Sequence, residues 1–501
     1  MNEIRKFEIK VKELIDELKS ICANAGLGND ASEFKIISQV FLYKFLNDKF
    51  IYELKKIDNR FNTSDFESTL AKIDNDELDM IIGQIDENSA VINKEQLISS
   101  IYKRQNEDNF DTIFDSTLLK IAEDNKDIFN IMTQGGEKIQ LFENISKYVA
   151  DNRDDFCKAL VNKLVNFSFE RIFSQKFDFY STIFEYLIKD YNSDSGGKYA
   201  EYFTPHAVSK IMARCLVGDK KVEDVSCYDP SAGSGTLLMN LANVIGEDKC
   251  SIYTQDISQK SSSLLRLNLI LNGLVHSLPN VIQGNTIKNP YHKEGNSLKR
   301  FDYIVSNPPF KLDFSDFRDD LDSKENNERF FAGIPIVPKK KKELMAIYFM
   351  FIQHIMYSLN SNGKAAIVVP TGFLTAQSGI GKKIRQKLVE DKMLAGVVTM
   401  PSNIFATTGT NVSVLFIDKE NKEDVKRYRQ LSQPLRKMKP VLESYRRYLI
   451  KLFKDEYGED LDDVTDEEKE EFTNKGAIDI VAGRHAIEEF NKVNANKLWK
   501  I

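Results

Sequence analysis

Apolar residues at Ile4, Phe7, Val11, Leu14, Leu18 and Ile21 recur every three or four positions, which predicts an amphipathic helix ending near Ala25-Gly26. The same period runs through Ser38–Leu46 and Thr182–Ile188. The polar, Asp- and Asn-rich stretch between them lacks the alternation of strands, so residues 1–165 are expected to form an all-helical domain. A turn-forming stretch, Asn192-Ser193-Asp194-Ser195-Gly196-Gly197, suits a hinge or a loop over a ligand.

Beyond it the pattern alternates. Short apolar runs at Cys227-Tyr228, Ser251–Gln255, Tyr303–Ser306 and Ala365–Val369 are separated by helical patterns such as Ser261–Asn272 and Leu344–Leu359. This predicts an α/β domain over 166–420, a parallel sheet with helices on both faces. The last two runs, Leu394–Met400 and Asn411–Ile417, are joined by a loop too short for a crossover helix and should pair antiparallel. From Asp418 the chain becomes highly charged, basic over Lys426–Lys451 and acidic over Asp455–Glu471. Residues 421–501 are expected to be a helical tail that docks a partner.

Composition adds limits. The 501 residues, 42% hydrophobic and 29% charged, fit a globular chain of two or three domains. No apolar stretch approaches the roughly 18 residues of a membrane span, and the first residues lack a signal-peptide core, so a cytoplasmic protein is expected. Cys22, Cys157, Cys215, Cys227 and Cys250 form no Cys-x-x-Cys pair, and His206, His276, His292, His354 and His485 show no metal spacing. No metal site is expected. With a net charge of −6, any basic surface for nucleic acid is either local or supplied by a partner.

Asp229-Pro230-Ser231-Ala232-Gly233-Ser234-Gly235-Thr236 lies between a strand and a helix, where glycines allow a sharp turn and helix-start amides can meet a carboxylate. Nucleotide folds and plain tight turns share this pattern. A P-loop is disfavoured because no Lys-Ser/Thr follows the glycines. Asp256 follows the next strand, where doubly wound folds hold ribose hydroxyls, and it is also placed as a helix N-cap before Ile257-Ser258-Gln259, the two roles not being exclusive.

The succession of Glu201-Tyr202-Phe203-Thr204-Pro205, then Asp229–Thr236, then Asn307-Pro308-Pro309-Phe310 resembles the modification subunit of Type I restriction-modification systems, within the N6-adenine DNA methyltransferases. Phe41–Phe50 is similar to that family's helical domain, and Leu344–Pro370 with Thr371–Leu374 to its later strand and loop. The resemblance implies an S-adenosylmethionine-dependent methyltransferase fold, Rossmann-like, with a seven-stranded mostly parallel sheet and an antiparallel last strand. It implies that Tyr202, Phe203, Thr204 and Pro205, flanked by Glu201 and His206, close over the cofactor. Asp229, Ser231, Ala232, Gly233, Gly235 and Thr236 would surround its methionine part, and Asp256 would hold the ribose. The family often has Glu at the position of Asp256 and Asp at that of Asn285. Asn285 would still accept a hydrogen bond from the cofactor's adenine amine through its side-chain oxygen.

Adenine's exocyclic amine is a poor nucleophile because its lone pair is delocalised into the ring. Asn307-Pro308-Pro309-Phe310 suits that problem: the Asn307 oxygen and the Pro308 carbonyl each accept one N–H, and two prolines fix both acceptors in place. Phe310 can stack on a base turned out of the duplex. An Asn-Pro-Pro turn also ends strands without any chemistry, and its position after a cofactor-type turn is what favours catalysis. Cytosine-C5 methylation needs a nucleophilic cysteine, commonly after proline, and none of the five cysteines follows one.

The family resemblance further implies double-stranded DNA as substrate, a specificity subunit, a second copy of this chain in the complex and a restriction subunit in the full enzyme. A stand-alone adenine-N6 methyltransferase and a non-catalytic DNA-binding partner are the rival readings. Lys339-Lys340-Lys341-Lys342 fits a phosphate contact or a solvated loop equally.

Overall fold

The computed structural model describes residues 3–28, 31–63, 66–173, 183, 186–187, 204–400 and 411–420. The turn at 192–197, Glu201, Tyr202, Phe203 and the tail 421–501 lie outside the described residues, as does most of the helix expected over Thr182–Ile188. The chain divides into two compact units, residues 1–196 with 266–279 and residues 197–265 with 280–501. Compact packing of the first unit thus runs beyond residue 165.

The first unit is helical. Its first helix, Glu3–Asn24, buries Phe7, Val11, Leu14 and Leu18, as the spacing predicts. It stops where Gly26 takes φ +80°, with Leu27 N–H donating to Cys22 O and Gly26 N–H to Ala23 O. In the 27-residue helix Ala31–Ile57, Phe41 and Phe45 pack edge-on against Phe169. Polar residues on the same helix are buried with partners: Lys44 pairs with Asp48 at 2.8 Å, and Asp48 also accepts from Phe169 N–H. A small hairpin, Ile131–Thr133 with Lys138–Ile139, interrupts the expected all-helical pattern; it is too short to show a period. Buried Arg266 donates to Ile139 O and Gln140 O at the end of that hairpin.

The second unit carries the alternating pattern. Its strands are β1 (Val225–Asp229), β2 (Cys250–Asp256), β3 (Val281–Gln283), β4 (Phe301–Ser306), β5 (Leu359–Pro370), β6 (Leu394–Thr399) and β7 (Val412–Asp418). They lie side by side in the order β6-β7-β5-β4-β1-β2-β3. β3, β2, β1, β4 and β5 are mutually parallel, and β7 runs antiparallel between β5 and β6. Fully buried runs such as Ala365–Val369 are what a parallel sheet covered on both faces requires.

The longer helices are α1 (His206–Val217), α2 (Thr236–Ile245), α4 (Tyr348–Ser358) and α5 (Gly379–Glu390), together with α3 (Gln259–Leu271), whose residues from Arg266 on belong to the first unit. Ile352, Ile355 and Met356 of α4 and Ile384 and Leu388 of α5 share one core with Ile304, Ile367, Val369 and Leu415 of the sheet. Between β4 and α4 the chain makes a small core of its own, in which Phe314, Leu321, Phe330, Met345 and Ile347 meet Ile287, Met350 and Phe351. Among the described residues, no helix is long and apolar enough to cross a membrane and no cluster of His, Cys, Asp or Glu is placed to hold a metal ion.

Candidate active site

Because β4, β1, β2 and β3 are adjacent and parallel, their carboxyl ends fall along one edge of the sheet. Ser306, Asp229, Asp256 and Gln283 are the last residues of those four strands. The segments that follow them contain most of the described residues singled out above. This is the edge at which open α/β sheets bind ligands.

The glycine-rich turn leaves β1 at Asp229. Gly233 and Gly235 take φ +54° and +85°, and Gly235 precedes α2, whose first residue, Thr236, is buried. Asp229 is itself buried, and its Oδ1 accepts from Ser231 N–H at 2.9 Å. Burial pushes the Asp229 carboxyl up to about 8, and neighbouring Asp256 pushes the same way, against the pull of the Ser231 amide and the Ser306 hydroxyl. The Ser231 and Ser306 hydroxyls lie 2.8 Å apart, tying this turn to the residue just before Asn307.

Asp256 Oδ2 accepts from Gly233 N–H at 2.9 Å and Oδ1 from Ser258 N–H at 2.8 Å. It therefore caps the chain after β2 and braces the glycine turn, and each oxygen keeps a further lone pair. Burial raises its pKa against these two amides. Next to it, Ile257 is 64% exposed, a large apolar side chain left open at the ligand edge. Sequence reading passed over Ile257; its only signal is an apolar residue directly after the acid.

After β3, Gly284 N–H donates to Asp256 O at 2.8 Å. Asn285 Oδ1 accepts from Ile287 N–H and Lys288 N–H at 3.1 and 3.0 Å, so its oxygen is already engaged with backbone. Thr286 Oγ1 donates to Pro230 O at 2.7 Å. Behind the turn, buried Arg329 donates to Thr286 O, Ile287 O and His354 Nδ1 at 2.8, 2.9 and 3.0 Å. Arginine can only donate, so His354 Nδ1 is unprotonated and its Nε2–H points to the Tyr228 hydroxyl 3.1 Å away. Burial, with the Arg329 charge second, holds His354 neutral. Arg329 carries no motif that singles it out in the sequence.

The fourth segment is Asn307-Pro308-Pro309-Phe310. Asn307 is half-buried, and its Nδ2 donates to Thr204 Oγ1 at 3.0 Å. Phe310 sits edge-on to Tyr348, ring centres 6.3 Å apart. Thr204 and Pro205 are buried and lead into α1, where buried His206 sets Nδ1 3.2 Å from Asn240 Nδ2 on α2. Hydrogen bonds thus join Thr204 to Asn307, Asp229 to Ser231, Ser231 to Ser306 just before Asn307, and Gly233 to Asp256. Phe330, Tyr348 and Phe351 belong to the core.

Comparison with known proteins points the same way. A family profile described as N-6 DNA methylase matches residues 175–496. The chain is 30% identical over 278 residues to the Type I restriction enzyme MpnII methylase subunit of Mycoplasma pneumoniae, covering 53% of this chain and 49% of that one. It is 24% identical over 403 residues to the MjaVIII methylase subunit of Methanocaldococcus jannaschii, covering 79% and 63%. The chain spans about half the length of the first two curated relatives it matches. Its fold is similar to a type I restriction-modification methyltransferase subunit from Streptococcus thermophilus, with a TM-score of 0.65, 20% identity, and coverage of 83% of this chain and 86% of the other. With a methyltransferase sheet, a glycine turn and an Asn-Pro-Pro-Phe loop on its ligand edge, and a family match over more than half its length, the chain belongs to the N-6 DNA methylase family.

Proposed function

We propose that this chain is the modification subunit of a Type I restriction-modification complex, methylating N6 of an adenine turned out of double-stranded DNA. The observation that carries the reading is the orientation of Asn307. Its amide nitrogen is held by the Thr204 hydroxyl, which leaves the oxygen as an acceptor for an incoming amine hydrogen. The Pro308 carbonyl supplies the second acceptor, and Phe310, braced by Tyr348, offers a ring face to the base.

The donor set along the edge fits S-adenosylmethionine. Bound there, the cofactor supplies a methyl group on a positively charged sulfur, electrophilic enough that no covalent enzyme intermediate is needed. The start of α2 at Thr236 would meet its carboxylate, the remaining lone pairs of Asp256 would accept from the ribose hydroxyls, and Ile257 would cover its adenine. The Asn285 oxygen serves the backbone of the turn after β3, so in this reading Asn285 shapes that wall of the cofactor site. Glu201, Tyr202, Phe203, Pro205 and His206 complete the cofactor side in this reading.

The test is methyl transfer to duplex DNA by the chain co-expressed with its specificity subunit, with N6-methyladenine read by mass spectrometry. Asn307→Ala should abolish transfer, a loss of about 10²-fold or more, while cofactor binding stays near wild type. Normal methylation by that variant would sink the mechanism. Site-specific methylation by the chain alone would instead identify a stand-alone enzyme.

A further inference from the structure

Lys339-Lys340-Lys341-Lys342 is the longest unbroken run of one charge in the sequence, and the chain as a whole is acidic. The four lysines sit on a built segment with its own apolar core between β4 and α4. Arg318 Nε donates to Pro335 O at 3.3 Å, and Leu312 N–H donates to Met345 O at 3.0 Å. That second bond returns the segment beside the residue two places after Phe310. At about 3.8 Å per residue, Lys342 stays within about 11 Å of Met345, so the run issues from the rim of the Asn307–Phe310 loop.

The charges are not used internally. All four lysines are exposed, and none enters an ion pair with another described residue. Three acids of the same segment are engaged elsewhere, Asp319 and Asp322 with Arg318 and Asp320 with Lys288, and exposed Glu343 follows the run directly in sequence. Asp313 feels Lys342 only at a distance, and its carboxylate accepts from Ser315 N–H. Beside the run, Ile336 is 86% exposed. Four adjacent exposed like charges, with Glu343 the one acid directly beside them in sequence, present a local positive edge to an arriving anion.

We propose that Lys339, Lys340, Lys341 and Lys342 form a phosphate-gripping edge of the catalytic unit, which holds the DNA backbone next to the adenine lodged at Asn307–Phe310. The inference rests on the DNA-methylating reading above. It gives a chain of negative net charge its own local hold on the duplex, in addition to whatever a specificity subunit supplies.

Binding of a short fluorescent duplex by the full chain, followed over a series of KCl concentrations, tests it without any turnover. Each lost phosphate contact lowers the slope of log affinity against log salt by about 0.9. Changing all four lysines to glutamine should flatten the slope by about 2 to 4 and weaken low-salt binding roughly tenfold or more. Changing them to arginine should preserve both. Cofactor affinity should be unaltered in either variant, which separates a failed surface from a misfolded chain. Unchanged affinity and slope in the glutamine variant would overturn the proposal, as would a wild-type chain with no salt-dependent DNA binding. Lost co-purification with the specificity subunit at an unchanged slope would also overturn it, assigning the run to a protein contact. Failure of the methylation reading itself would show separately, as a wild-type complex that makes no N6-methyladenine.

Discussion

Thr204 Oγ1 lies 3.0 Å from Asn307 Nδ2, joining the residue that leads into α1 to the first residue after β4. An amide side chain held by its nitrogen presents its oxygen, the end that must accept from an adenine amine. Thr204→Val keeps the shape and removes the hydroxyl, so Asn307 is free to turn over. One hydrogen bond is worth about 0.5 to 1.5 kcal/mol, so kcat should fall roughly 2- to 13-fold, with less change in KM for the cofactor. Thr204→Ser should restore most of the rate. Equal losses in both variants would mean that Thr204 matters only for packing.

How far the sequence discloses this site depends on the distance over which each feature is built. The strands Tyr303–Ser306 and Ala365–Val369 were legible because strands buried on both faces read as apolar runs. The antiparallel ending followed from a loop too short to cross over. In contrast, β3 is only three residues long, below any detectable period. The orientation of Asn307 depends on a hydroxyl 103 residues earlier, and the turn after β3 depends on a guanidinium more than 40 residues later. Ile257 is a single apolar residue at a strand end, and only its exposure beside Asp256 makes it informative.

That exposure leads to a second expectation. With Ile257 64% open, Ile257→Ser removes little packing and should leave unfolding by urea nearly unchanged. If the side chain lies against the cofactor's adenine, the same change should cost about 1 to 2 kcal/mol of cofactor affinity, roughly 5- to 30-fold. Calorimetric titration decides it, and wild-type affinity would remove Ile257 from the cofactor site.

Arg329 is buried without a carboxylate and spends its donors on Thr286 O, Ile287 O and His354 Nδ1. Arg329→Met should destabilise the fold by about 2 kcal/mol, because the acceptors it leaves behind have no replacement donor. A lysine cannot span three acceptors from one ammonium, so Arg329→Lys should be nearly as damaging. Both variants should also weaken cofactor binding through the Asn285 turn. Full stability in the lysine variant would show that charge alone, and not the planar fork, holds the turn.

Asp229 makes the stability of the fold depend on pH in an unusual direction for an aspartate. Its carboxyl is pushed up to about 8 in the folded chain, chiefly by burial, against an ordinary value of 3.8. Between these values the folded state holds a proton that the unfolded state has released, so this group's contribution falls as pH rises. It is fully present below about 4 and is lost as pH climbs through about 8. Asp229→Asn keeps an oxygen to accept from Ser231 N–H and cannot ionise. The stability of the wild type relative to this variant should therefore decline steadily from about pH 5 to about pH 8 and level off above it. Urea unfolding of both proteins across that range isolates the term, since every other titrating group is common to the pair. A difference that stays flat, or that grows with pH, would mean that Asp229 is ionised in the folded protein, and that the Ser231 amide and the serine hydroxyls around it outweigh its burial.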